Sequence, residues 1–156
     1  MTSTAVISEA ERLFLAEART ATLATIAPDG APRLVPVCFA LADDADVLHS
    51  PLDDKPKRVG DPHELARVRD ILVRPDVSLL VHHWSEDWSA LGWLRLDGRA
   101  ALIEPAELAS PEHGVAVAAL RARYPQYASH ALEHRPIIRI VIERHRSWGN
   151  LGSGSD

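Results

Sequence analysis

The chain has only two lysines, Lys55 and Lys57, and both lie in one loop, 53–58, that also holds two aspartates, a proline and Arg58. A lysine ammonium is a compact point charge on a flexible stem, which suits it to phosphate. The loop follows a predicted strand and precedes a predicted helix, a frequent setting for anion sites. A solvated turn is the better interpretation of an isolated Lys-Pro-Lys. The surrounding residues therefore decide between a solvated turn and an anion site.

Further basic and polar side chains flank this loop, on the strands before it and on the helix after it. They are Arg33, His49, Ser50, Arg67 and Arg69. Singly, the helix arginines are as readily explained as a solvated face paired with Asp70 and Glu64. As a group, with few acids to offset them, these residues predict a pocket for a multiply anionic ligand.

Tryptophan is concentrated in one region, with Trp84, Trp88 and Trp93 close together and Trp148 near the end of the chain. Trp88 lies in a polar loop, where core packing is a poor explanation and a ligand or partner subunit is a better one. For Trp84 and Trp93, ordinary strand packing is an equally good interpretation.

The familiar catalytic and metal-binding motifs are missing. There is no glycine-rich dinucleotide fingerprint, P-loop or G-x-S-x-G elbow. His130 and His134 share a helix spacing but have no supporting carboxylate, and the adjacent His82 and His83 point to opposite sides of a strand, so no metal is expected. Cys38 lies in an apolar strand and reads as a core residue. We therefore predict no catalytic side chain from motifs.

Composition limits the class of protein. The chain of 156 residues carries a net charge of −5, which argues against general nucleic-acid binding. No secretory signal or membrane-spanning stretch is visible, so no membrane partner is expected. A single cysteine excludes an intrachain disulfide and fits a cytoplasmic protein.

The elements that must position these residues are mostly strands. Ser8 and Glu11 form a capping box for a first helix to about Ala18, and Asp61 with Pro62 starts a helix that ends near Arg74. About six strands and three or four short helices are predicted, without a repeated βαβ order. An antiparallel barrel with peripheral helices follows. Residues 1–148 form one domain, and residues 149–156 read as a flexible tail.

Several stretches together resemble the pyridoxamine-phosphate-oxidase-like split-barrel flavoproteins, and more narrowly their actinobacterial branch that uses the deazaflavin coenzyme F-420. The stretches are 21–25, 29–32, 35–37, 54–57, 67–71, 74–81, 87–89 and 93–100. The Lys-Pro-Lys loop and the Asp-Trp-Ser and Trp-x-Arg patterns are the more specific part of this resemblance.

The resemblance implies a mainly β, six-stranded antiparallel split barrel that forms a homodimer, with cofactor sites at the dimer interface. It implies that cations hold the cofactor phosphate and acidic tail; these are Lys55, Lys57, Arg67 and Arg69. Backbone of Val35, Pro36 and Val37, with His49 and Ser50, would line the ring system. Trp88, Trp93 and Arg95 would close the pocket from the other subunit.

The leading hypothesis is an F-420-dependent oxidoreductase that transfers a hydride between the cofactor and a small unsaturated or quinone-like substrate. FMN is the alternative cofactor, in an FMN-dependent oxidoreductase on the same fold. A non-catalytic protein that binds a flavin, deazaflavin or tetrapyrrole is a second alternative, and an interaction domain for an acidic protein is a third. Residues 59–64 separate Lys57 from Arg67, which leaves open which cations hold the phosphate.

Overall fold

A computed structural model of the chain describes residues 6–53, 60–105 and 111–152. Three α-helices lie in this part of the chain: α1 (Glu9–Glu17), α2 (Ala66–Val73) and α3 (Pro111–Arg123). The strands are β1 (Ala21–Ile26), β2 (Pro32–Val37), β3 (Ala40–Leu41), β4 (Val47–Pro51), β5 (Asp76–His83), β6 (Gly92–Ile103) and β7 (Ile137–Gly149). Short 3-10 helices cover Pro62–Glu64, Trp88–Ala90, Pro125–Ser129 and Leu132–His134.

The strands form one antiparallel sheet in the order β2-β1-β5-β6-β7-β4-β3. Its two edge strands, β2 and β3, are consecutive in the chain and are separated only by Cys38 and Phe39. Three Cα–Cα steps span at most about 11 Å, so the two edges must come close together. The sheet therefore curls round its core, as the predicted antiparallel barrel requires.

The predicted strand count of six is wrong, because the described residues contain seven strands. The sequence predicts one strand from Arg33 to Ala40, which the structure divides at Phe39. The Phe39 side chain is 1% exposed. Its backbone N–H donates to the Tyr124 hydroxyl at 3.2 Å, and that hydroxyl is 3.1 Å from the Phe39 carbonyl. A side chain thus replaces the strand ladder here, and the chain crosses from one edge of the sheet to the other.

The capping box of α1 is confirmed, since Ser8 and Glu11 exchange backbone-to-side-chain hydrogen bonds of 3.1 Å in both directions. The single helix predicted after Asp61 is instead a 3-10 turn followed by α2. Asp61 does cap the turn, because it accepts from the His63 N–H at 2.9 Å. Leu65 between the two pieces is extended and packs against the core.

One long strand, β6, carries the Asp97-Gly98 pair as a β-bulge rather than a hairpin turn. A Cβ at Gly98 would lie 2.1 Å from the Val141 carbonyl oxygen, so the close approach of β7 requires glycine. The bulge aligns the second half of β7 with the first half of β6, where both strands run beyond β4.

The main core fills the curled sheet and includes Leu23, Leu48, Leu79 and Leu94. A second apolar cluster lies under α3 and includes Leu120, Tyr124 and Tyr127. At the chain end, Leu151 packs against the main core, while residues 153–156 lie outside the described part. No helix in the described residues is long and apolar enough to cross a membrane, and none of their His, Cys, Asp and Glu side chains gather into a metal-binding group.

Candidate functional site

Lys55 and Lys57 fall in segment 54–59, outside the described residues. The structure describes the residues that lead into their loop. Asp53, directly before the segment, is 7% exposed. The Tyr127 hydroxyl donates to Asp53 Oδ2 at 2.8 Å. Ser50, near the end of β4, donates to the Cys38 carbonyl at 2.8 Å. The strand that leads into the lysine loop is therefore held by polar contacts.

Arg67 lies near Asp53, and its side chain includes a buried hydrogen-bond donor that lacks an acceptor among the described residues. Its Nε is buried and has no hydrogen-bond partner within the described part of the chain. Burial lowers the pKa of Arg67, and the nearby charge of Asp53 acts in the opposite direction. We call Ser50, Asp53, Arg67 and Tyr127 the loop-base cluster.

A guanidinium can only donate, and a buried donor without an acceptor costs about 1–3 kcal/mol. Such a group in a folded protein calls for an explanation, of which a bound ion or molecule is one. An acceptor oxygen of an anionic ligand would satisfy Arg67 Nε. The Arg67 Nε–H therefore fits an oxygen of a phosphate or carboxylate group.

The Tyr127 hydroxyl is a fixed donor in the same cluster. Burial raises its pKa strongly, and its hydrogen bonds to Cys38 and Asp53 raise the pKa further. The phenol therefore stays protonated at neutral pH and continues to donate to Asp53. This bond holds the Asp53 carboxylate, the nearest described negative charge to Arg67, in one position.

Arg69, the second predicted helix cation, lies two residues after Arg67 on α2. Two residues correspond to a rotation of roughly 200° about a helix axis, so the two side chains leave α2 on different sides. Arg69 is exposed and Arg67 is half-buried. The structure thus does not bring the two arginines together on one helix face.

His49 is buried and engaged with α3. Its Nε2 is 2.9 Å from Glu112 Oε1, and Arg139 Nε donates to the same oxygen at 2.6 Å. Burial by itself would raise the pKa of Glu112, but the hydrogen bonds from His49 and Arg139 outweigh it and the pKa is lowered. Glu112 therefore stays ionised and ties the start of α3 to β4 and β7.

Arg33 is also engaged. Its Nε and one terminal nitrogen lie 2.8 and 3.3 Å from the two carboxylate oxygens of Asp70. Thr25 donates to Asp70 Oδ2 at 2.8 Å, and the Asp70 side chain is 1% exposed. Arg33 thus fastens β2 to α2, which removes it from the group of free cations that the sequence suggests.

Trp93 and Arg95 lie on the convex side of the sheet. Alternate residues of β6 are buried, so Leu94 and Leu96 face the core while Trp93 and Arg95 face outward. Trp88, in the 3-10 turn before β6, is 73% exposed. We call this outward side of β1, β2, β5, β6 and β7 the outer face.

Strand register places Pro36 in the same transverse row as Arg95. The row runs from Pro36 through Thr22 and Leu80 to Arg95. Three strand spacings correspond to roughly 14 Å. Val37, by contrast, is buried, and Val35 packs against the main core. Because both side chains are engaged in the core, a ligand could contact only the backbone of these two residues.

A groove of about 460 Å³ follows the outer face, and Ser78, Arg95, Asp97 and Arg144 contribute to its lining. Ser78 donates to Asp97 Oδ1 at 2.6 Å, and Arg95 Nε is 3.6 Å from the same oxygen. The predicted residues therefore form two groups. Ser50 and Arg67 belong to the loop-base cluster, whereas Trp93, Arg95 and Pro36 belong to the outer face, and Trp88 lies exposed in the turn that leads into β6.

Sequence reasoning missed Asp53, Tyr127 and Glu112. Glu112 holds His49, the charge of Asp53 acts on Arg67, and Tyr127 holds Asp53. Tyr127 and Glu112 lie far along the chain from their partners, at separations of 74 and 63 residues. No local pattern reports contacts over such distances. Asp53 was visible next to the lysines, but its burial was not.

The sequence and the fold were then compared with known proteins. The family model described as pyridoxamine 5'-phosphate oxidase matches residues 7–149. No curated protein is significantly similar to the chain in sequence.

Several solved structures share the fold. A conserved hypothetical protein from Mycobacterium tuberculosis is 26% identical, with 96% of this chain and 89% of that chain covered and a TM-score of 0.69. A heme storage protein from Vibrio cholerae is 18% identical, with 94% and 95% covered and a TM-score of 0.67. An F420 reductase is 19% identical, with 90% and 98% covered and a TM-score of 0.64.

Proposed function

The chain belongs to the pyridoxamine 5'-phosphate oxidase family, and within it we propose an oxidoreductase that uses the deazaflavin coenzyme F-420. It would transfer a hydride to or from a small unsaturated or quinone-like substrate. The family includes flavin-dependent oxidoreductases, and the similar structures include an F420 reductase and a heme storage protein. Because these two are less than 25% identical, they support the fold, and the choice of cofactor rests on the residues.

The observation that carries the proposal is the buried Arg67 Nε without a partner, beside the start of the lysine loop. Coenzyme F-420 bears a phosphate and an oligoglutamate tail and is therefore more anionic than FMN. In our proposal Arg67 donates to an anionic oxygen of the cofactor, and Lys55 and Lys57 bind the same charged part. Arg69, exposed on another side of α2, would reach only the distal tail.

The bound cofactor would supply the hydride chemistry, and the protein would bind and orient it. Backbone of Val35, Pro36 and Val37 would line one side of the ring system, next to His49 and Ser50. His49 Nε2 is engaged by Glu112, so His49 would act through its ring surface and by keeping β4 fixed. No acid–base pair or nucleophile is required of the chain itself.

We further propose that the pocket is completed by a second copy of the chain. Trp93 and Arg95 lie on the outer face and Trp88 in the exposed turn before β6, and none of the three belongs to the loop-base cluster of its own chain. The outer face also exposes Leu34 (69%) and Leu80 (39%), apolar side chains that a partner would cover. Trp88, Trp93 and Arg95 of that partner would then exclude water from the ring.

FMN is the second candidate cofactor, because the family model carries the name of pyridoxamine 5'-phosphate oxidase. The same loop-base cluster would take the single phosphate of FMN. The two candidates differ in what the outlying cations do. A long acidic tail uses the lysines and Arg67 together, whereas one phosphate does not need all of them.

The experiment is a fluorescence titration of purified protein with coenzyme F-420, for wild type, Arg67→Gln and the matched variant Arg69→Gln. A charge-assisted hydrogen bond contributes about 1.5–3 kcal/mol, so Arg67→Gln should weaken binding roughly 10- to 100-fold. Arg69→Gln should weaken it less than about threefold, as expected for an exposed charge. Equal affinities in all three proteins would contradict the assignment of Arg67.

A further inference from the structure

Two tryptophans and two arginines face each other across β6 and β7 on the outer face. In the strand register Trp93 lies opposite Trp148, and Arg95 lies opposite Arg146. The two pairs are neighbours on one side of the sheet, since 93 and 95, like 146 and 148, are two residues apart. We call Trp93, Arg95, Arg146 and Trp148 the Trp–Arg strip.

The arginine pair is electrostatically costly without a ligand. Like charges directly opposite each other in an antiparallel pair destabilise a sheet. No carboxylate of the described residues is within salt-bridge distance of Arg146. Among the described carboxylates, Arg95 has Asp97 at 3.6 Å, which also accepts from Ser78 and lies 4.0 Å from Arg144. Glu143 lines the same groove. The three arginines and these two carboxylates leave a local charge of +1.

The tryptophan pair adds a flat apolar surface to this charge. Trp148 is 54% exposed, and Trp93 beside it is half-buried. Cross-strand neighbours have Cβ atoms about 4.5–5.5 Å apart, so Trp93 and Trp148 leave the outer face from adjacent positions. An indole surface binds planar conjugated rings, and paired guanidinium groups bind carboxylate, sulfonate or phosphate.

We infer that the Trp–Arg strip binds the hydride-exchanging substrate, and that this substrate is a planar conjugated molecule with an anionic substituent. The ring lies on Trp93 and Trp148, and the anionic group lies between Arg95 and Arg146. The inference rests on the proposed function, because it takes the bound molecule to be the substrate of the proposed hydride transfer. It adds two β7 residues, Arg146 and Trp148, to the β6 residues proposed to close the pocket. Arg146 would bind the anionic group and Trp148 the ring.

The position of the strip agrees with this role. It lies where β6 and β7 run beyond β4, so β7 is an edge strand there and the strip is open on one side. Trp93 and Arg95 are also the residues proposed to close the cofactor pocket. A molecule on the strip is therefore placed next to the cofactor ring, as hydride transfer requires.

The probe for a test is 2-naphthalenesulfonate, a planar anion that undergoes no hydride transfer, followed by isothermal titration calorimetry. Neutral 2-naphthalenemethanol tests the ring alone, and methanesulfonate tests the charge alone. Wild type should bind 2-naphthalenesulfonate at least tenfold more tightly than either. Arg146→Gln should weaken the sulfonate at least tenfold and leave 2-naphthalenemethanol unchanged, whereas Trp148→Leu should weaken both ring compounds.

Two variants serve as matched controls. Arg99→Gln removes another exposed β6 arginine, one that pairs with Asp76 instead, and Trp84→Leu removes another exposed tryptophan. Both should bind the sulfonate within twofold of wild type. If the controls weaken it as much as Arg146→Gln and Trp148→Leu do, or if wild type fails to bind it, the inference is wrong.

A parallel F-420 titration of Arg146→Gln separates this inference from the proposed function. Unchanged F-420 affinity supports a substrate site. An equal loss of F-420 and sulfonate affinity assigns the strip to the cofactor and overturns the inference alone.

Sulfonate binding that depends on Arg146, in a wild-type protein that binds no F-420 or FMN, retains the anion site and overturns the proposed function. If Arg146→Gln changes the sedimentation coefficient but not sulfonate binding, the strip is an interface between copies and the inference is overturned.

Discussion

Asp70 joins three elements through one buried carboxylate. It lies on α2, accepts from Thr25 on β1, and holds Arg33 of β2 with both of its oxygens. Because its side chain is 1% exposed, its charge has no water to replace these partners. The same helix carries Arg67, so Asp70 also fixes the position of the proposed anion donor.

We predict that Asp70→Ala lowers the free energy of unfolding by about 2–3 kcal/mol. Removing one partner of a fully buried pair costs about 3–5 kcal/mol, and we expect a smaller loss here because Arg33 is half-exposed. Asp76→Ala, which removes an exposed carboxylate 3.6 Å from Arg99, should cost less than about 1 kcal/mol. Urea denaturation measures both. Equal losses would show that Asp70 acts as an ordinary surface charge.

The two helix arginines show what the sequence could and could not predict at this scale. Arg67 and Arg69 have the same chemistry and similar neighbours, so the pattern selects both. Only the direction in which each side chain leaves α2 separates them, and that direction depends on how the helix packs against the sheet. The burial of Arg67 Nε without an acceptor, and its position near Asp53, likewise depend on the packing of the fold, which no local pattern encodes.

At the scale of elements, His63 connects the start of the α2 region to the end of β6. Its Nδ1 is 2.8 Å from Asp61 Oδ1 and its Nε2 is 2.7 Å from Glu104 Oε1. Carboxylates only accept, and a neutral imidazole has one N–H, so both bonds form together only in the imidazolium. Hydrogen bonds from the ring to Glu104 and Asp61 raise the pKa of His63 above its ordinary value of 6.5.

This connection predicts a pH dependence of stability. Because the folded-state pKa is raised, the stabilisation is fully present below pH 6.5 and is lost as the pH rises through the raised value. The free energy of unfolding of wild type minus that of His63→Gln should therefore be larger at about pH 6 than at about pH 8.5. His134→Gln, at a more exposed histidine, is the control for the substitution itself. A difference that grows with pH would contradict the account.

The elements themselves were largely predictable, and the exceptions have physical causes. The Ser8 capping box and a strand predicted from Val77 to Trp84 rest on local signals and are confirmed, the strand as Asp76–His83. The break at Phe39 was not predictable, since it depends on the hydroxyl of Tyr124, 85 residues away. The bulge at Gly98 was one of two readings of Asp97-Gly98, and only the approach of β7 decides between them.

At the scale of the whole molecule, the part of the outer face around Leu34 and Leu80 should be the contact between two copies. We predict that wild type sediments as a dimer and that Leu34→Glu shifts it towards monomer, because a buried carboxylate without a partner is unfavourable. Leu34 is 69% exposed in the single chain. Val115→Glu, on the 66% exposed Val115 of α3, is the matched control and should remain dimeric. A monomeric wild type, or equal effects of both variants, would contradict this arrangement.

Equilibrium titration of the cofactor-free protein with coenzyme F-420 and with FMN decides between the two cofactors. We expect F-420 to bind at least about tenfold more tightly, since its acidic tail adds charge-assisted contacts worth about 1.4 kcal/mol or more in total. In the double variant with Lys55→Ala and Lys57→Ala this preference should disappear. Tighter binding of FMN by wild type, or an F-420 preference that survives loss of both lysines, would contradict this expectation.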